Sequence, residues 1–351
     1  MEKPSLLPLL DQRLPLDEAK VAEAARLAGV SLAQAWGVVA YYPRYRGLPQ
    51  GRLLVDDPVA RARGFARLRE EADGTYPPLG LEALSPVYLR FQDGERFVET
   101  PEGPVPFARF RLPFHLGHGE RLLPPEPARD LKTYRALGGL EALLSWQKGH
   151  LSPEGLLQRV EEAGLLGRGG AAFPAHVKMR AVARGEAPKY LVVNADESEP
   201  GNFKDRFLLE HHPFLVLEGA LLAALAVGAT RVYLYVREEF QAAIQGLEEA
   251  IRELEEAGLL FPPVEVFRSG GLYICGEETA LLESMEGKRA EPRLKPPFPV
   301  EKGLWGRPTL VQNVETLANL PLILREGPAA WRAREPKLFS ISGDVAAPGL
   351  Y

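Results

Sequence analysis

Tyr190-Leu191-Val192-Val193, the apolar run Leu217 to Ala226, and Arg231-Val232-Tyr233-Leu234-Tyr235-Val236 follow one another as strand, helix and strand, and this order decides the fold class. The first run reads as a short buried strand and the second as a helix, while β-branched and aromatic residues mark the third as another strand. Further along, Phe240 to Ala257 is amphipathic, rich in Glu and helical, and Val264-Glu265-Val266-Phe267 is the next strand. Upstream, Ser152 and Pro153 suit the N-cap and first position of a helix. The apolar Leu156, Leu157 and Val160 of that helix share a face, and Gly164 fits its end. Strands and helices alternating at this spacing predict an α/β domain, a parallel sheet covered by helices.

The chain before this domain has a different texture. Asp17 can cap a helix with apolar positions at Val21, Ala24, Ala25 and Leu27, stopped by Gly29. Ser31 can cap a second helix through Leu32, Ala33, Trp36 and Val39. Pro86 to Phe91 and Arg96 to Glu99 are strand-like, and Gln92-Asp93-Gly94-Glu95 between them makes a hairpin turn. Residues up to about 115 therefore form a small α/β unit, and 112–130, rich in Pro, Gly and His, read as a linker.

Bulk properties narrow the function. The 351 residues exceed one ordinary core, and 46% apolar with 25% charged residues describes a globular chain. A net charge of -5 without a basic block argues against nucleic acid or an anionic membrane as partner. Leu215 to Gly228, the longest apolar candidate, carries Glu218 and falls short of the ~18 residues that a span needs, so no direct membrane insertion is expected. Met1-Glu2-Lys3-Pro4 leads into no apolar signal core, which points to the cytoplasm. A single cysteine, Cys275, excludes an internal disulfide and is too few for an iron–sulfur cluster, and its apolar surroundings suit a buried small side chain. The 6 histidines form no metal-ligand spacing, so no metal site is expected.

Four polar loops carry whatever chemistry the chain performs. In Gly167-Arg168-Gly169-Gly170-Ala171-Ala172-Phe173-Pro174 three close glycines can turn backbone N–H groups toward an anion. Arg168 adds a forked donor, Lys178 a point charge, and Phe173 a flat face. The loop follows a helix rather than a strand, so it is no Rossmann fingerprint, and an ordinary tight turn is equally compatible. Asn194 to Arg206 leaves the carboxyl end of a strand, where open α/β sheets place ligands, but a capped, solvated loop also fits. Ser269 to Thr279 ends in Glu277 and Glu278, either hydroxyl-binding carboxylates or acidic residues at a helix start. Arg293 to Pro299, then Gly303-Leu304-Trp305-Gly306 and Val311 to Thr316, form a stiff proline-rich segment offering Lys295 and Phe298 to a nucleotide, or simply a wrap.

Together and in this order, the phrases Gly167-Arg168-Gly169-Gly170-Ala171, Asn194 to Gly201, Tyr273 to Leu281, Arg293 to Pro299, Gly303 to Gly306 and Asn313-Val314-Glu315-Thr316 resemble one family. It is the flavoprotein subunit of respiratory complex I and of related NAD-linked hydrogenases and formate dehydrogenases. The resemblance covers roughly Gly119 to Tyr351. It implies a complex-I-flavoprotein-like α/β domain that binds FMN and takes a hydride from NADH. By matching position, Gly167, Arg168, Gly169, Gly170, Lys178, Asn194, Asp196, Glu197, Tyr273, Gly276, Glu277, Gln312, Asn313 and Thr316 would contact FMN. Phe173, Glu199, Glu278, Lys295 and Phe298 would contact NADH, with Glu278 orienting it. No residue need act as acid or base, because the flavin performs the hydride transfer.

Ala35 to Pro43 resembles a helical segment of the thioredoxin-like 2Fe–2S subunit that partners this flavoprotein. The resemblance implies residues 1–115 as a degenerate thioredoxin-like α/β domain without cluster ligands and 116–150 as linker and entry helix. Residues 151–340 would be the FMN/NADH domain, and 341–351 the truncated start of a following β domain. The sequence departs from the family at Leu166 (an arginine there), Ala172 (a glycine), Met179 (a tryptophan), Ala181 (an aromatic) and Gln312 (an asparagine). The function implied is a diaphorase-like, FMN-dependent NADH-oxidising electron-transfer subunit that passes electrons to a partner redox subunit or a soluble acceptor. No iron–sulfur cluster of its own is expected. The alternative is a degenerate, non-redox relative serving as an assembly or interaction subunit of an NADH dehydrogenase-like complex.

Overall fold

The computed structural model describes residues 5–14, 16–42, 45, 51–55, 74–76, 88–92, 95–100, 103–111, 123–124, 126–342, 345–346 and 349–351. The fold is the α/β type expected, and a parallel sheet organises it.

That sheet has four strands: β6 (Tyr190–Ala195), β7 (Arg231–Val236), β8 (Val264–Arg268) and β9 (Thr309–Asn313). Their order is β8-β7-β6-β9 and every pair is parallel, with Tyr190 facing Arg231 on one side and Thr309 on the other. The chain steps outward from β6 through β7 to β8, then returns to the opposite flank of β6. The direction of winding therefore reverses between β6 and β9. At such a point the loops leaving the two strands part and leave a crevice at their carboxyl ends.

One sheet face meets helices that follow the sequence closely. The first is α6 (Pro153–Ala163), following α4 (Leu131–Ala136) and α5 (Glu141–Gln147) in the chain. Its cap is the one expected: the Ser152 hydroxyl accepts from Gly155 N, and Gly164 ends the helix at φ 68°. Next come α7 (Ala175–Ala183), α8 (Lys204–His211), α9 (Pro213–Val227) and α10 (Gln241–Glu256). The short α11 (Glu278–Met285) packs on the other face, its Ala280, Leu281, Leu282 and Met285 sharing a core with Tyr190 and Tyr235, whereas the short α12 (Pro299–Lys302) precedes α13 (Val314–Glu326) and α14 (Pro328–Arg334). Helix α9 is buried almost throughout. It lies so close to α13 that a Cβ added at Gly219 would sit 2.0 Å from the Leu317 carbonyl oxygen. Its one carboxylate, Glu218, accepts from the Tyr134 hydroxyl at 2.6 Å and from Leu140 N at 3.0 Å, as a buried polar group must. No single helix among the described residues is long and apolar enough to cross a membrane.

The other face carries the N-terminal helices α1 (Leu6–Asp11), α2 (Glu18–Ala28) and α3 (Leu32–Tyr41). Asp17 caps α2 through Lys20 N and Gly29 closes it at φ 70°, while Ser31 and Gln34 form a capping box on α3. Their buried residues Leu6, Leu7, Leu10, Val21, Ala24 and Val38 share one core with Tyr190, Val192, Tyr233, Tyr235 and Val311 of the parallel sheet. The pleat sends Leu191 and Val193 to the opposite core instead. The Tyr42 ring fills the space over Gly270, where a Cβ would come within 2.0 Å of it, and its hydroxyl donates to Lys288 O.

A second sheet, of order β2-β1-β3-β4-β5, comprises β1 (Gly51–Val55), β2 (Gly74–Tyr76), β3 (Tyr88–Gln92), β4 (Glu95–Thr100) and β5 (Gly103–Pro106). β3 and β4 pair as the expected hairpin, Gln92 opposite Glu95; Asp93 and Gly94 lie outside the described residues. Leu89 and Val98 join the core of α9 and α10. Most of the 112–130 linker also lies outside the described residues. After α14 the chain ends in the ribbon β10 (Ser340–Ile341) and β11 (Gly349–Leu350).

Candidate functional site

The crevice between the carboxyl ends of β6 and β9 holds two adjoining cavities of about 660 and 630 Å³, within the range of cofactor sites. Gly169, Asn194, Gly276, Glu277 and Asn313 belong to both walls. Into the first also face Gly167, Phe173, Lys178, Glu278, Lys295, Phe298, Gln312 and Thr316. Into the second face Arg168, Gly170, Asp196, Glu197, Glu199 and Tyr273. All the residues singled out in the four loops thus line one or other cavity, although they lie as much as 149 positions apart, from Gly167 to Thr316.

The glycine loop is a tight turn whose residues line both cavities. A bridge between Leu166 and Pro174 closes its base, with Gly167 N donating to Phe173 O at 2.9 Å. Gly170 sits at φ 106° and Ala172 at φ 51°, in the left-handed region. A Cβ costs roughly 1–2 kcal/mol there, so Ala172 holds with strain a conformation suited to glycine. The Arg168 guanidinium, expected to donate toward an anion, is engaged elsewhere. It reaches Glu335 Oε1 at 3.5 Å and Pro336 O at 3.4 Å and lies over the Trp331 ring. What Arg168 supplies locally is its backbone N–H, donated to Thr316 Oγ1 at 2.8 Å.

The loop after β6 folds back on its own carboxylates. Asn194 Nδ2 donates to Gly276 O at 2.8 Å. Asp196 is buried and accepts from the hydroxyls of Ser198 and Ser269; burial pushes its carboxyl up to about 6 against the pull of Arg237. Glu197 accepts from Asp205 N and Arg206 N, so it caps α8 as well as lining the cavity; burial and the nearby Asp205 raise its pKa. At the rim the Tyr273 hydroxyl donates to Glu199 Oε2 at 2.6 Å.

The third and fourth loops meet in a chain of alternating charges. Lys178 Nζ lies 2.7 Å from Glu278, and Lys295 Nζ lies 3.2 Å from Glu278 and 2.9 Å from Glu277. Glu277 also caps α11, accepting from Thr279 N and Ala280 N, so the helix-start role and the cavity-lining role coexist in one side chain. Burial raises the Glu277 pKa, but Thr279 and Lys295 outweigh it and hold the group below its ordinary value. Phe173 and Phe298, 47% and 49% exposed, present open ring faces on the first cavity. Cys275 is free and buried, as its apolar neighbours suggested.

Sequence reasoning did not single out Lys204, Asp205, Ser198 or Asn202, which also line the second cavity. Lys204 and Asp205 stand inside the quoted Asn194–Arg206 loop, but helix α8 hides their direction from a linear reading. Ser269 and Glu315 reach the site indirectly, through Asp196 and Lys204.

Residues 160–322 match the family model described as the Nuo51 FMN-binding domain. The F subunit of NADH-quinone oxidoreductase in Aquifex aeolicus is 46% identical over 238 residues, 63% of this chain and 55% of that protein. The protein of the same name in Escherichia coli is 44% identical over 239 residues, 63% of this chain and 53% of that protein. The chain thus spans about half the length of these relatives. Among solved structures, an NAD+-reducing NiFe-hydrogenase in its air-oxidized state superposes with a TM-score of 0.81 at 32% identity, covering 100% of this chain and 67% of the other.

Proposed function

The chain belongs to the family of NADH-oxidising flavoprotein subunits that carry the Nuo51 FMN-binding domain, and on that premise we propose that it binds FMN in the β6–β9 crevice, accepts electrons there from NADH, and hands them to a partner redox subunit or a soluble acceptor. One observation carries the proposal. Residues chosen from four separate loops converge on two adjoining cavities where the winding of the sheet reverses.

The residues present fit FMN. Gln312 Nε2 is buried and unpartnered on the wall of the first cavity, a donor that a bound oxygen acceptor would satisfy. Gly169 and Gly276 pack closely on the cavity wall, where a Cβ on either would press to 3.3 Å from Asn313 Cβ or Asp196 O and displace residues that line the site. FMN bound here supplies the hydride acceptor and the conversion between two-electron and one-electron steps. The chain supplies position. Asn194, tied to Gly276 O, divides the two cavities. Lys178 and Lys295 offer ammonium groups for phosphate, and their pairing with Glu278 and Glu277 fixes where those charges stand. Phe173 and Phe298 offer ring faces to the dinucleotide, and Ala171, Val177, Ala181 and Val300 keep the first cavity apolar.

These 351 residues hold a single cysteine, too few for the four ligands a cluster typically takes, which supports an electron acceptor outside them. Fluorescence titration of FMN into the purified protein tests the proposal. Saturable quenching at one FMN per chain is expected; its absence under conditions that load the Aquifex aeolicus relative refutes it.

A further inference from the structure

Lys204 is a buried lysine at the first turn of α8, its side chain 9% exposed, on the wall of the second cavity. Its ammonium lies 2.8 Å from Asp205 Oδ1 and 3.1 Å from Glu315 Oε2, and so ties the starts of α8 and α13 together. Asp205 then accepts from Asn313 Nδ2 at 2.6 Å through its other oxygen. Asn313 Oδ1 in turn accepts from Glu315 N at 3.0 Å and Thr316 N at 3.3 Å, capping α13. Thr316 Oγ1 accepts the Arg168 backbone N–H. A continuous path therefore runs from Lys204 to the glycine loop. It also sets the orientation of the Asn313 amide, because a carboxylate can only accept and helix N–H groups can only donate.

We infer that Lys204 is a positioning residue for the flavin: by clamping Asp205 and Glu315 it fixes the Asn313 amide and the glycine loop in the arrangement that receives the cofactor. The inference rests on the FMN reading above. An ammonium surrounded by Asp205, Glu315 and Glu197 is far from a neutral helix residue; burial works against its charge, but these carboxylates outweigh burial and hold its pKa above the ordinary lysine value. Removing it would leave three carboxylates crowded at two helix N-termini, with only the Asn313 amide left to hold the Asp205 rotamer.

The test compares wild type, Lys204→Met and Lys204→Arg by FMN fluorescence titration, visible circular dichroism of the bound flavin, and thermal midpoints of the FMN-free proteins. Lys204→Met is expected to weaken FMN at least tenfold and to alter the flavin dichroism, with Lys204→Arg recovering most of both. FMN affinity within twofold of wild type in Lys204→Met overturns the inference, whatever its thermal midpoint. Should Lys204→Met fail to fold, Asp205→Asn decides. It keeps the ammonium but leaves one acceptor oxygen where Lys204 and Asn313 use two, so it must show the same loss of affinity, and an unchanged affinity overturns the inference. A wild type that binds no FMN overturns the functional proposal together with this one.

Discussion

Lys295→Ala separates the dinucleotide from the flavin. Lys295 Nζ stands 2.9 Å from Glu277 and 3.2 Å from Glu278, on a wall shared with Phe173 and Phe298. The substitution removes an ammonium placed for the phosphates of NADH. A charge-assisted contact contributes about 1.5–3 kcal/mol, and the 31% exposure of this side chain argues for the lower half of that range. It also leaves the two carboxylates facing the incoming anion with one cation, Lys178, instead of two. A unit charge at about 6 Å in a solvated cleft adds repulsion of about 1 kcal/mol. The sum, about 2–3 kcal/mol, corresponds to an NADH dissociation constant raised about 30- to 150-fold. FMN affinity should change less than about threefold, because the Lys295 pairs with Glu277 and Glu278 are partly exposed. Stopped-flow bleaching of the flavin against NADH concentration gives both the affinity and the limiting rate. An NADH affinity within twofold of wild type refutes the placement of NADH beside Lys295.

Ala181→Phe restores an aromatic to the apolar wall of the first cavity and should lower the NADH dissociation constant about fivefold, worth about 1 kcal/mol of stacking, in the same experiment. Gly219→Ala forces a methyl to 2.0 Å from the Leu317 carbonyl and should cost about 3 kcal/mol or more, read from urea unfolding, or prevent folding. Asp196 binds its proton more tightly folded than unfolded, so its contribution to stability falls as pH rises from about 4 through about 6. The thermal midpoint of wild type relative to Asp196→Asn should therefore decline across that interval; a difference independent of pH contradicts the buried titration.

Local grammar made much of this structure legible in advance. Ser152, Asp17 and Ser31 cap the helices they were expected to cap, and Gly29 and Gly164 end theirs in the left-handed conformation, because such signals act over three or four residues. β6 and β7 lie where their apolar runs stand, though β6 continues through Asn194 and Ala195, which a linear reading gives to the loop. Gln312 and Asn313 likewise end a strand, β9, rather than lying in a loop, and their place next to β6 is what creates the crevice. That adjacency depends on long-range pairing and has no local signature. The same holds for α2 and α3, whose apolar faces announce helices but not that they cover the parallel sheet, while α1 is not among the elements expected from the sequence. Charge is the least legible property. Arg168 carries a donor fork suited to an anion, yet its guanidinium turns to Glu335 and Trp331, both far along the chain. Lys204 looks like an ordinary polar residue in sequence and is buried between carboxylates of two helices.

The most direct test of the account is optical. The purified chain is loaded with FMN, freed of excess, made anaerobic and titrated with NADH while its visible spectrum is recorded. The account predicts bound flavin absorbance that is lost on addition of one NADH per flavin and returns when an electron acceptor is added. A protein that holds FMN but keeps its flavin colour in excess NADH would contradict the central claim that this crevice joins the two nucleotides for electron transfer.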